Sequence, residues 1–258
     1  MNIISFTEWL SGAPGWLQSC PDWIQNFIFQ CYQTFIYADR WKFFLSGLEI
    51  TFIVTIGALL LGVIIGLLLA VIRTSHDLSV QKPNVILRIL NAFANLYLTV
   101  IRGTPMMVQL LIMGFVIMVP KTDTGTVVCG IITLGINSGA YVAEIARSGI
   151  MSIDRGQMEA GRSLGFNYVQ TMWNFIIPQA FKNILPALGN EMITLLKDTS
   201  LVSVIALRDV TKQAQNIVSI TYQAYVPYIS LAVIYLIIVI ILTKLLGILE
   251  RRLRNSDH

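Results

Sequence analysis

Histidine is almost missing from this chain of 258 residues: His76 and His258 are the only two. A nucleophilic serine or cysteine needs a positioned base, most often histidine. His258 is terminal and His76 falls in a polar stretch between apolar runs, so Ser138-Gly139 has no base to make it an intramembrane protease. The paired histidines of a helical zinc protease are absent too. No glycine is followed by lysine, which removes a Walker A loop and ATP binding of that kind. Charge is scarce, with 12% charged residues against about 25% in soluble domains. Three cysteines make no framework. Cys20 and Cys31 share one segment and either pair or stay free, while Cys129 lies in an apolar run and reads as packing. No basic stretch precedes an apolar one at the start, so no cleavable signal peptide is expected. The alternating segments of about 10 residues that build outer-membrane barrels are missing as well.

What the chain has is oil. Hydrophobic residues make up 55% of it, and they fall in long runs. About 20 apolar residues cross the hydrocarbon core as a helix, with every backbone group bonded internally. We therefore expect an all-α integral membrane protein with five transmembrane helices: roughly 43–72, 85–119, 127–147, 185–207 and 227–249. In the first, Gly62 and Gly66 form a small-xxx-small pair, read either as close helix approach or as plain glycine tolerance. The second is interrupted at Arg102-Gly103-Thr104-Pro105, where proline removes a donor and kinks the helix.

The basic residues sort into two sets of loops. Arg73, Lys82, Arg88, Arg147, Arg155, Arg162, Lys182, Arg251, Arg252 and Arg254 fall on one side, ten in all, against five on the other: Arg40, Lys42, Lys121, Arg208 and Lys212. The positive-inside rule makes the richer side cytoplasmic, with the N-terminus outside and the C-terminus inside. The formal charge of +4 is thus spent on topology and does not argue for nucleic acid. Residues 1–42 read as an extracytoplasmic, interfacial segment ahead of a membrane domain at 43–258. Within 16–38, Trp23, Ile24, Phe27, Ile28, Cys31, Phe35 and Ile36 recur at helical spacing among polar residues. This predicts an amphipathic helix lying in the outer interface, with an extra span or a loop as the alternatives.

One polar stretch stands out, Asp154 to Pro178. Glu159-Ala160-Gly161, then Gly165, then a run closing on Ile177-Pro178, resembles the EAA loop of ABC importer permeases. Gly161 replaces the second Ala of that pattern, Phe175 an Ile, and Ile177 a Leu. RGTPMMVQL at 102–110, INSGAYVAEIARSGI at 136–150 and LGNEMITLLKDTSLVSVI at 188–205 extend the resemblance, which covers roughly 43–250 and looks like the polar amino acid uptake branch. The resemblance implies a type I ABC importer permease arrangement in the bacterial cell membrane, with a cytoplasmic coupling loop at 152–178. It implies a dimer of ABC ATPase subunits, a second permease copy or close homologue, and an extracytoplasmic amino acid binding protein as partners, with polar amino acids as cargo. The chain itself is then non-catalytic and holds no cofactor or metal; ATP-Mg belongs to the ATPase partner. Arg155 to Leu164 is expected to form a short lever helix, with Gly165 at its end. Arg155, Glu159, Ala160, Gly161 and Gly165 are the coupling residues so implied.

Charged and polar side chains inside spans are the second lead, marking a path, a packing contact or a water-exposed end. A charge at mid-bilayer costs about 2.5–3.5 kcal/mol on insertion scales. Glu191 and Asp198 share a helix face, with Lys197 beside it; they either meet a zwitterionic substrate or form an internal ion pair, Arg102 being one available partner. Asn137, Ser138 and Glu144 either line the path or hold helices together. An ion-gradient-driven secondary transporter accounts for spans and buried charges but not for a loop of EAA form. No internal repeat of the kind common in such transporters is visible.

Overall fold

The computed structural model describes residues 4–78 and 83–255, all of whose secondary structure is helical. Lys82 and His258 lie outside the described residues, as does the side chain of Arg254. Three short helices come first: α1 (Phe6–Ser11), α2 (Gly15–Gln18) and α3 (Asp22–Cys31), the last running into a π-helical turn over Tyr32–Ile36. Then follow α4 (Trp41–Asp77), α5 (Val85–Gly103), α6 (Met106–Ile112), α7 (Asp123–Met151), α8 (Arg155–Ser163), α9 (Tyr168–Thr171), α10 (Ile177–Asp198), α11 (Val210–Thr221) and α12 (Tyr225–Asn255).

Four of these, α4, α5, α7 and α12, are long and apolar enough to cross a membrane. The fourth expected span, 185–207, corresponds to α10 and a following 3-10 stretch, Thr199–Ile205. Asn183, Asn190, Glu191, Lys197 and Asp198 make α10 too polar to stand among the apolar four. The second expected span is two pieces. α5 ends at Gly103, Thr104 is extended, and α6 restarts after Pro105. Pro105 has no N–H to offer the Ile101 carbonyl one turn back. The Gln109 side chain replaces that donor: its Nε2 bonds Ile101 O at 2.7 Å, Thr104 O at 3.2 Å and Thr104 Oγ1 at 2.8 Å. The break is therefore a repaired element of the fold.

The core is the pair α4–α7. α4 buries a stripe of small residues, among them Gly47, Thr51, Ala58, Gly62, Gly66 and Ala70, and turns its large aliphatics outward. A Cβ at Gly62 would lie 2.9 Å from the Ser138 Cβ, and one at Gly66 would lie 2.6 Å from the Val142 Cβ. The pair Gly62/Gly66 thus serves close approach. In lipid, helices gain little from hydrophobic exclusion, so van der Waals contact at small residues holds them. The matched positions rise together along both helices, so α4 and α7 run parallel. α10 runs antiparallel to α7, with Gly149 against Ile184 at one end and Ser138 against Glu191 further along. α12 is peripheral, with no buried side chain beyond Pro227 among its described residues.

The N-terminal helices form a cap on the α4, α11 and α12 ends away from α8. Phe6, Trp9, Phe29 and Tyr32 make an aromatic cluster, and Phe35 packs on Phe44 of α4. Arg40 is fully buried and donates Nη1 to the Gln33 carbonyl at 2.6 Å. The helical stretch 22–36 is shorter than a bilayer crossing, which removes the extra-span alternative, and its helicity removes the loop. Trp16, Trp23 and Phe27 remain exposed. Cys20, Cys31 and Cys129 are all free thiols.

Candidate functional site

The loop at 152–178 builds from local rules. Asp154 caps α8, its carboxylate accepting the Gly156 N–H at 2.6 Å. α8 ends in a Schellman pattern: Gly165 N–H bonds Arg162 O at 3.0 Å and Phe166 N–H bonds Gly161 O at 3.2 Å. That pattern needs a left-handed residue, and Gly165 has φ +89°. Arg155, Glu159 and Ala160 are exposed, while Gly161 is buried. A Cβ on Gly161 would stand 2.6 Å from Thr171 Cγ2. The departure from Glu-Ala-Ala therefore has a local cause: the methyl of Thr171 occupies the space an alanine would fill. Asn167 and Gln170 then form a capping box that restarts the chain as α9. The helix continues through a π-helical turn into α10, with Pro178 just past the junction of the two. Beneath α8 lies a cavity of about 350 Å³, walled by Met158, Met172 and Ile176 and by Asp77 of α4.

A second site lies between α4, α5 and α7. Glu144 of α7 pairs with Arg73 of α4 and stands 3.8 Å from Arg102 of α5. Arg102 also rests over the Tyr141 ring, 5.6 Å from its centroid. Asn95 and Thr99 complete the wall of a cavity of about 450 Å³. One turn further toward α8, Asp77 receives two bonds from Arg147, from Nε at 2.8 Å and Nη2 at 2.7 Å. The two rungs have opposite polarity: base-to-acid, then acid-to-base from α4 to α7. A groove of about 600 Å³ starts at the same Glu144 and runs past Ser148 and Ser152 to Asn183.

The remaining expected path residues are Asn137, Ser138, Glu191 and Asp198. Asn137 donates Nδ2 to Gln109 Oε1 at 3.0 Å, so it steadies the side chain that repairs the Pro105 break. Ser138 is fully buried and donates Oγ to Glu191 Oε1 at 2.8 Å. Asp198 closes α10, with Lys197 exposed beside it. Arg102 approaches Glu144 rather than Glu191 or Asp198. Three residues of this region escape sequence reasoning: Arg73 and Arg147 count there only as topology charges, and Asp77 draws no reading at all. Their signal is the spacing, four apart on α4 and three apart from Glu144 to Arg147 on α7, in opposite order. Among the described residues no group of metal-ligating side chains converges.

A family model for the inner membrane component of binding-protein-dependent transport systems matches residues 62–255. The chain belongs to that family. This inner membrane component is 37% identical over 218 residues to the arginine transport system permease protein ArtQ of Bacillus subtilis, covering 83% of this chain and 94% of that one. It is 36% identical over 212 residues to the glutamine transport system permease protein GlnP of Escherichia coli K12, covering 81% and 92%. Among solved structures it is similar to an amino acid ABC transporter crystallised with histidines, at TM-score 0.73 and 44% identity over 82% of this chain and 94% of that one. The MetNI methionine ABC transporter in an inward-facing form shares the fold, at TM-score 0.70 and 17% identity, over 84% and 99%. An inner membrane component of this family is a multi-pass membrane protein working in a binding-protein-dependent transport system, which excludes the ion-gradient transporter. The family match begins at residue 62, so the N-terminal cap lies outside it.

Proposed function

We propose that this chain is the permease subunit of an ATP-driven importer for polar amino acids, crossing the bacterial cytoplasmic membrane five times beside a second copy or a close homologue. One observation carries the path: polar side chains line up on three helices. α5 turns Asn95, Thr99 and Arg102 outward, α7 and its C-cap turn Tyr141, Ser148 and Ser152 outward with Glu144 half-buried among them, and α10 turns Asn183, Asn190, Thr194 and Lys197 outward. Hydrocarbon satisfies none of these groups. A face that carries them calls for water and protein, and a second permease supplies both by closing a lumen. Glu191 and Asp198 flank this stripe, and with Arg102 they offer a zwitterion opposite charges. Ser138 orients Glu191, and Asn137 acts through Gln109. The arginine and glutamine named for the relatives support polar amino acids as the cargo.

Coupling goes to the α8 loop, where exposed Arg155, Glu159 and Ala160 meet an ATPase and Gly161 and Gly165 set the helix against α9. ATP hydrolysis, with its Mg, falls to a dimer of ATPase subunits, and an extracytoplasmic binding protein delivers cargo. The α8 end is cytoplasmic and the N-terminal cap external. The test is reconstitution in proteoliposomes with an ATPase and a binding protein. ATP-dependent uptake that Glu159→Arg abolishes while the permease stays inserted is the expected result, and a cysteine at position 160 should react only from the cytoplasmic side. Uptake by the chain without any ATPase overturns the proposal.

A further inference from the structure

We propose that the Glu144–Arg102 contact is the α8-side gate of the path, and that α4 and α7 carry it as a single lever. The two cavities of the path share one charged side chain, Glu144: it walls both the space between α4, α5 and α7 and the groove along α7 and α10. Whatever moves Glu144 relative to Arg102 connects or separates them.

The seams around Glu144 are unequal. α4 and α7 interlock through Gly62 and Gly66 along their length. Toward α8 they are tied twice more, by Arg73–Glu144 and by Asp77–Arg147. Because these rungs have opposite polarity, sliding one helix along the other breaks both and brings like charges together. α5 is held less firmly: it buries only Ala94 and Leu98, and Tyr97 Oη donates to the Ile136 carbonyl of α7 at a level away from Arg102. Its charged link to α7 is Arg102 at 3.8 Å from Glu144, a pair nearly half open on the arginine side. Such a screened pair contributes little and exchanges readily. A force on the end of α7 therefore opens the α5 seam before the α4 seam. α8 is attached to that end: only Ser152, Ile153 and Asp154 separate it from Met151. The lever rests on the coupling role proposed for α8, whereas the gate contact does not.

Spin labels at Val71→Cys on α4 and Val100→Cys on α5, both exposed positions, report the seam once Cys20, Cys31 and Cys129 are replaced by serine. In the permease alone, Arg102→Gln, which leaves the Arg73–Glu144 rung intact, should displace or broaden the Val71–Val100 distance distribution by at least about 2 Å, the scale of helix shifts in switching proteins. An unchanged distribution overturns the gate. In the full complex with ATPase and binding protein, ATP should shift the same distance. Asp77→Arg alone should lose that shift and lower uptake at least tenfold, and the exchange Asp77→Arg with Arg147→Asp should restore both. A swap that stays as impaired as the single change, in a complex that still assembles, overturns the lever. If ATP moves the labels in no variant while Arg102→Gln still does, the coupling role of α8 fails and the gate stands.

Discussion

Replacing Asp209 by asparagine should make the protein more stable at neutral pH and remove part of its response to acid. Asp209 is the N-cap of α11, accepting Thr211 N–H at 3.1 Å and Lys212 N–H at 2.9 Å. It is fully buried where α11 crosses α4, close enough that a Cβ on Gly47 would lie 2.6 Å from Val210 Cα. Burial pushes its carboxyl up from 3.8 to about 6, against the pull of the two backbone donors. A raised carboxyl means that the folded state holds a proton the unfolded chain has released. Its stabilising contribution is then full below about pH 4 and is lost as pH rises through about 6. A shift of about two units corresponds to about 3 kcal/mol at 1.36 kcal/mol per unit. Asparagine caps a helix about as well as aspartate and does not titrate. At pH 7.5 the variant should exceed the parent by up to about 3 kcal/mol, or roughly 6–12 °C at the 2–4 °C per kcal/mol of a chain this size. The difference should shrink to near zero at pH 4. The assay is tryptophan-detected melting in nanodiscs from pH 4 to 8, scored as variant minus parent so that other titrations cancel. A variant less stable than the parent at pH 7.5, or a difference that does not change with pH, refutes the reasoning.

Gly161→Ala should strain the α8–α9 contact by about 1–3 kcal/mol, the usual range for overpacking, and reduce ATPase co-purification; Thr171→Ser removes the offending methyl and should restore it. Gly165→Val should disturb α8 more than Gly165→Asn, because the position is left-handed but sterically open and asparagine tolerates that backbone; a protease-protection assay of the loop distinguishes them. Gln109→Leu leaves Ile101 O without its side-chain donor and Asn137 without its acceptor. It should lower the melting temperature by the equivalent of roughly 1–3 kcal/mol, and a neutral effect would mean that the break needs no repair.

Much of this molecule is legible in one dimension because the bilayer is a one-dimensional filter. The runs that became α4, α7 and α12 follow from apolar length alone, since a backbone in hydrocarbon has no alternative to the helix. Asp154 and Gly165 bound α8 through short-range hydrogen bonding and a single φ, both set within a few residues. Glu191, Lys197 and Asp198 are visible as a liability in a span, and α10 is the helix that falls short of the apolar four. What the sequence left open was every relation between distant segments. Whether Gly62 and Gly66 were a contact or mere tolerance depended on what stood opposite, and Ser138 and Val142 stand there. Whether Asn137 and Ser138 faced a path or a neighbour depended on Gln109 and Glu191, far along the chain. Arg73 and Arg147 read as topology charges, and Asp77 as nothing in particular, until α4 and α7 lay parallel and in register. Burial and charge pairing are sums over three-dimensional neighbours, so only the packed helices decide which of many intramembrane charges is clasped, which is half-open, and where two cavities meet on a single carboxylate.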